Sequence, residues 1–170
     1  MCYGILKSKE MESPMYQPMR RKKNELTEEQ ALDILDRAQW GVLSLSDGDG
    51  LPYGVPLNHT RVGRKLVFHC ALEGQKLNFL RANPKGWFTA VASAHVQRDK
   101  GSTSYESAMA AGPLRIVEGE EARLAVLDAI NAKYTEGFEL GRSFVEKWGK
   151  AALVLEMDIE CLTAKGNMEE

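Results

Sequence analysis

The sequence predicts an α+β fold in which about six mostly antiparallel strands form a barrel with helices at its flanks. Three observations carry this. The apolar period switches from helical to two directly after an opening helix. Turn signals then follow one another at hairpin spacing. Helical patterns occur only at the start, at one crossover and after the fifth strand, rather than alternating with strands as a doubly wound sheet requires.

The opening helix is expected from about Glu28 to Gln39. Thr27 is a good N-cap, Gln30 stands at the capping-box position, and Leu26 is placed to staple onto Ala31. Ala31, Leu32, Ile34, Leu35 and Ala38 form its apolar stripe. Trp40 to Ser46 alternates, with Leu43 and Leu45 against Ser44 and Ser46, and Asp47-Gly48-Asp49-Gly50 is a hairpin turn. The second strand runs from Pro52 to Thr60. Tyr53, Val55, Leu57 and His59 share one face, and Gly54, Pro56, Asn58 and Thr60 the other. A mid-strand proline has no N–H for the ladder, so Pro56 belongs at an edge or a bulge. The shallow face beside it suits a flat heterocycle, or is simply an ordinary edge.

Lys65 to Cys70 reads as the third strand and Gln75 to Ala82 as a short helix stopped before Pro84. Lys85 to Val96 is apolar on both faces, as in a buried central strand. Ser102 to Val117 is a long strand with an expected bend at Gly112-Pro113. Gly119 to Tyr134 is the clearest helix, with Leu124, Leu127, Ile130 and Tyr134 on one stripe. Phe138 to Lys150 holds a further short helix or irregular segment with Phe144 and Trp148. Ala151 to Ile159 is the last strand, and Gly166 to Glu170 a fraying tail. The domain is expected to span 19–165, with residues 1–18 as an arm and 166–170 as a tail.

The chemistry concentrates where the third strand meets the short helix. A helix start presents unpaired N–H groups and the positive end of a dipole, which suit an anion. Gly74 permits a tight turn and close approach, Lys76 adds a full charge, and His69 stands seven residues before it. The plain alternative is a strand–helix junction with a stray histidine. Cys70 and His69 point to opposite faces of a strand, which argues against a nucleophile–base couple. Arg20-Arg21-Lys22-Lys23 reads as a solvated run, the alternative being that one of them reaches an anionic ligand.

Composition excludes several classes. The 170 residues carry 22 Lys+Arg against 24 Asp+Glu, for a net charge of -2, so no basic field favours nucleic acid. Three scattered cysteines without CxxC spacing and three unpaired histidines indicate neither a disulfide framework nor a metal site, and fit a reducing cytoplasm. No apolar run reaches the roughly 20 residues of a membrane span, and nothing reads as a signal peptide. Rossmann and Walker glycine motifs, GxSxG and HExxH are all absent.

The order Met19-Arg20-Arg21-Lys22, Pro52-Tyr53-x-Val55-Pro56-Leu57-Asn58, Phe68-His69-x-Ala71-x-x-Gly74-x-Lys76 and Ser104-Tyr105-x-Ser107 resembles the nitroimidazole-resistance proteins. These lie within the flavin-binding split-barrel, pyridoxamine-5′-phosphate-oxidase-like superfamily, and the resemblance runs from Met19 to about Lys165. It implies a six-stranded antiparallel split β-barrel, a homodimer with two FMN sites at the subunit interface, and a small-molecule substrate. Tyr53, Val55, Pro56, Leu57 and Asn58 would follow the isoalloxazine. His69, Cys70, Ala71 and Lys76 would lie on the ribityl-phosphate side. Ser104, Tyr105 and Ser107 would stand near the interface and serve the partner's flavin.

His69 and Tyr105 are the candidate catalytic groups. The implied activity is FMN-dependent reduction of a nitroaromatic or another small electrophile, with NAD(P)H as donor. The alternatives are a flavin-binding protein without turnover, acting as an electron carrier or flavin store, or a relative that binds FAD, haem or a deazaflavin. Two positions depart from the pattern: Cys70 replaces a small Ser or Gly, and His59 replaces a common tyrosine.

Overall fold

The computed structural model describes residues 19–136 and 138–167. Helix α1 (Glu28–Arg37) begins with the expected capping box: the Gln30 N–H donates to Thr27 Oγ1 at 3.2 Å, and the Thr27 N–H to Gln30 Oε1 at 2.9 Å. Its stripe of Ala31, Ile34 and Leu35 is fully buried against the sheet. Strands β1 (Gly41–Ser46) and β2 (Pro52–Leu57) form the predicted hairpin. Its turn is fixed by Asp47 Oδ1, which accepts from the Asp49 and Leu51 N–H groups at 3.0 and 2.8 Å. β3 (Thr60–Val62), β4 (Lys65–Ala71), α2 (Gln75–Ala82), β5 (Lys85–Gln97) and β6 (Ser102–Ile116) follow. The chain continues through α3 (Glu120–Tyr134), α4 (Phe138–Trp148), β7 (Ala152–Asp158) and β8 (Cys161–Asn167).

The strands form one open path, β2-β1-β5-β6-β7-β4-β3, with β8 also paired to β6. β6 therefore belongs to two sheets. Through Ala111 it pairs with β8, and from Leu114 to Ile116 with β7, so the β7–β8 hairpin straddles its bend. The bend falls at Gly112-Pro113, as the sequence suggests. A Cβ on Gly112 would collide with the Asp158 carbonyl oxygen, so only glycine admits that crossing chain. Pro56 lies on β2, which pairs with β1 alone and forms the sheet edge.

Several expectations are corrected. There are eight described strands rather than six: His59 breaks the second strand so that β3 stands apart, and β8 was not anticipated. Gly166 and Asn167 do not fray; they pair with Glu106 and Tyr105. Residues 168–170, the arm 1–18 and the Trp148 side chain lie outside the described residues. β5 is central in the sheet order but its second half is not buried, with Val91 50% and Val96 63% exposed. No described helix covers the outer side of β1, β5, β6 and β8, which explains why an apolar strand stays open there. None of the described helices is long and apolar enough to cross a membrane.

The carboxyl end of α1 is closed by side chains from distant segments. Lys133 Nζ donates to the Leu35 and Ala38 carbonyls at 3.3 and 2.8 Å. His59, fully buried, holds its Nε2 2.8 Å from the Leu35 carbonyl and packs on Phe88 with ring centres 4.6 Å apart. The carbonyl can only accept, so Nε2 carries the proton, and Nδ1 has no partner. The Tyr134 hydroxyl accepts the His59 N–H at 3.0 Å and lies 2.6 Å from the Gln39 carbonyl.

Burial, reinforced by the Lys133 ammonium, pushes the His59 imidazole down to about 4. The unfolded chain takes up this proton below its ordinary 6.5, whereas the folded chain takes it up only near 4. Stability is therefore fully present above pH 6.5 and is lost as pH falls towards 4, by up to about 3 kcal/mol from this residue. Urea unfolding across that range is expected to show the loss, and His59→Gln should flatten the slope.

Candidate functional site

β4 delivers its side chains alternately to two environments. Leu66, Phe68 and Cys70 enter the core with Leu155 and Met157, while Lys65, Val67, His69 and Ala71 face outward towards α3 and its neighbours. His69 and Cys70 thus stand on opposite faces, as alternation requires, and form no couple. Burial pushes the Cys70 thiol up, with the Lys76 ammonium pulling the other way, so it remains a thiol at neutral pH. Burial also lowers His69, whose ring is solvent-exposed on one side and desolvated by neighbours on the other.

The chain then turns through Leu72, Glu73 and Gly74, all exposed, into α2. Gly74 takes φ 132° with open space where a Cβ would stand. No side chain caps this helix start, and its first closing bond is Leu77 N–H to the Gly74 carbonyl at 3.0 Å. The preceding N–H groups face the turn, beside Lys76, for which no ion pair or hydrogen bond is found among the described residues. The arrangement fits an anionic oxygen cluster: unpaired donors, a helix dipole, a free cation and a backbone that allows close approach. Glu73 opposes it, but that carboxylate is exposed and screened by solvent.

Tyr53, Val55 and Leu57 are half-buried on the inner face of β2, and Tyr53 stacks on Phe79 of α2 with ring centres 4.9 Å apart. This contact, which sequence alone gave no signal for, ties β2 to the helix that starts at the anion corner. Pro56 and Asn58 are exposed on the other side, where Gly54 also presents bare backbone. Asn58 precedes His59, whose N–H donates to the Tyr134 hydroxyl at 3.0 Å.

Ser104, Tyr105 and Ser107 are not brought to this corner within the chain. They sit on β6, separated from β2 by β1 and β5. Alternation also divides them: Ser104 shares a face with Glu106 and the buried Ala108, whereas Tyr105 and Ser107 face the open side with Met109. Ser104 Oγ donates to the His95 carbonyl and Ser107 Oγ to the Lys165 carbonyl, each at 3.5 Å. The Lys165 ammonium lies 5.8 Å from the Tyr105 ring centre.

A comparison with curated proteins gave no match. Among solved structures, the chain is similar to a candidate 5-nitroimidazole antibiotic resistance protein from Bacteroides thetaiotaomicron, at 23% identity and TM-score 0.68, covering 84% of this chain and 86% of that one. It is also similar to an FAD and haem binding protein from Mycobacterium smegmatis, at 23% identity and TM-score 0.72, covering 87% and 75%. A flavocytochrome from Azotobacter vinelandii gives 16% identity and TM-score 0.67, covering 92% and 75%. These likenesses establish the fold. The family model described as pyridoxamine 5′-phosphate oxidase matches residues 27–165, and the chain belongs to that family.

Proposed function

We propose that this protein binds FMN and uses it to reduce a small electrophile, a nitroaromatic compound being the favoured class, with NAD(P)H as electron donor. The observation that carries the reading is the open start of α2 beside the unpaired Lys76, with φ-positive Gly74 at the turn. A phosphate placed there would be held by Lys76 and the backbone N–H groups of the helix start. Cys70 and Ala71 end the strand beneath it, while the His69 side chain turns to the α3–α4 side of the strand. The ring would follow β2, where Gly54 and Pro56 leave a shallow surface and the exposed Asn58 offers an amide at its end.

The open outer face supplies the second half of the reading. Val91, Met109 and Val96 are exposed on the β5–β6 hairpin, and apolar side chains left open on an uncovered sheet suit a second copy of the chain. In such a homodimer Tyr105 and Ser107, remote from the anion corner of their own chain, would approach the partner's flavin. The flavin, when bound, supplies the hydride and electron chemistry; the protein's part is to position it and shield it from water. Tyr105 is the candidate proton donor, with Lys165 beside its ring.

Three outcomes follow. Titration with FMN should quench flavin fluorescence saturably, and Lys76→Ala should weaken binding by about 1.5–3 kcal/mol, the range for a hydrogen bond to a charged group. A Soret band in place of flavin absorption in the purified protein would overturn the assignment. Anaerobic mixing of the loaded protein with NADPH or NADH should bleach the flavin, and a nitroimidazole should restore its colour; a flavin left oxidised by both donors counts against turnover. Met109→Glu should convert a dimer to monomer in sedimentation experiments and release flavin with it, because a buried unpaired carboxylate is costly.

A further inference from the structure

Helices α3 and α4 roof the outward face of β4 and β7 without closing on it. A cavity of about 250 Å³ remains, lined by His69 and Ala152 from the sheet, Leu127, Ile130 and Asn131 from α3, and Phe144 from α4. Its walls are mostly apolar, and apart from His69 none of the lining residues titrates. The nearest cation, the Arg123 guanidinium, is already committed to the carbonyl of Gly149 in the wall, so a carboxylate would meet no free counter-charge and would lose part of its hydration. Lys76, which favours anions, is not among its walls.

Two polar groups are turned towards the space. The His69 ring has no hydrogen-bond partner among the described residues. Asn131 commits its amide nitrogen to the Gly141 carbonyl at 3.1 Å, which fixes the side chain and leaves Oδ1 as an acceptor. A mainly apolar chamber with a few placed polar groups is the usual form of a small-molecule site. An apolar cavity of roughly 150 Å³ already accommodates benzene, so the present one admits a single ring with one small substituent and is too small for a fused tricycle.

We infer that this cavity is a binding site for an uncharged single-ring aromatic compound bearing an amide or hydroxyl group. The ring lies against Leu127, Ile130 and Phe144, and the polar group hydrogen-bonds His69. The site is distinct from the anion corner at α2 and is present in flavin-free protein, so its failure and the failure of the flavin reading are separate results.

The test is proton NMR of the three histidine rings in the full-length protein during titration with benzamide, with His69→Gln assigning the resonance. A saturable shift confined to His69, with His59 and His95 unmoved, is expected. Ala152→Leu, which fills the chamber from the sheet side, should weaken binding by about tenfold or more. Should that variant fail to fold, Val145→Phe, at a further lining residue on α4, fills it from the helix side and gives the same reading. Benzoate should produce no saturable shift. The inference is overturned if benzamide gives none either, if benzoate binds equally well, or if a folded chamber-filling variant binds benzamide unchanged. It is also overturned if FMN displaces benzamide, which would make the chamber part of the flavin cradle.

Discussion

Strand β6 must serve two sheets, and most of the molecule is arranged around that constraint. From Tyr105 to Ala111 it pairs with β8, and from Leu114 it pairs with β7. The hand-over needs a position where another backbone crosses at close range, and Gly112 meets the Asp158 carbonyl there. Pro113 follows, with no N–H to leave unpaired. The Glu160 N–H closes the junction onto the Ala111 carbonyl at 2.9 Å. Because β7 pairs with β4, this junction sets where the β4–α2 corner lies relative to the β1–β2 edge.

A second constraint holds the opposite end. The carboxyl terminus of α1 leaves carbonyls that must be satisfied, and Lys133, His59 and Tyr134 do so from two distant segments. The same tyrosine bonds the His59 backbone, so the helix that roofs β4 also orients the chain just past the edge strand. His59 accepts an orphaned Nδ1 in this arrangement. That cost is tolerated because the ring fills space against Phe88 and completes the helix end.

Local rules made much of this legible. Thr27 and Gln30 announce the start of α1, and both bonds of the box are formed. Pro56 announces an edge, and Gly112-Pro113 a bend. The limits of α2 follow from Gly74 and Pro84 and match Gln75–Ala82. What was misread depended on partners far along the chain. Residues 161–167 contain a glycine, a lysine and little alternation, and become a strand because β6 offers an edge to pair with. β5 was read as buried on both faces, since its composition does not say whether a helix lies above it.

The sequence by itself determined the fold class, the glycine turn into α2 beside Lys76 and the separation of His69 from Cys70, because capping, turn chemistry and strand alternation act over a few residues. Only the tertiary structure decided that His59 is a buried hydrogen-bonding group, that Tyr53 stacks on Phe79, and that α3 and α4 leave a chamber over His69. These features are contacts between segments tens of residues apart, set by how helices and sheets pack, and no local propensity encodes them.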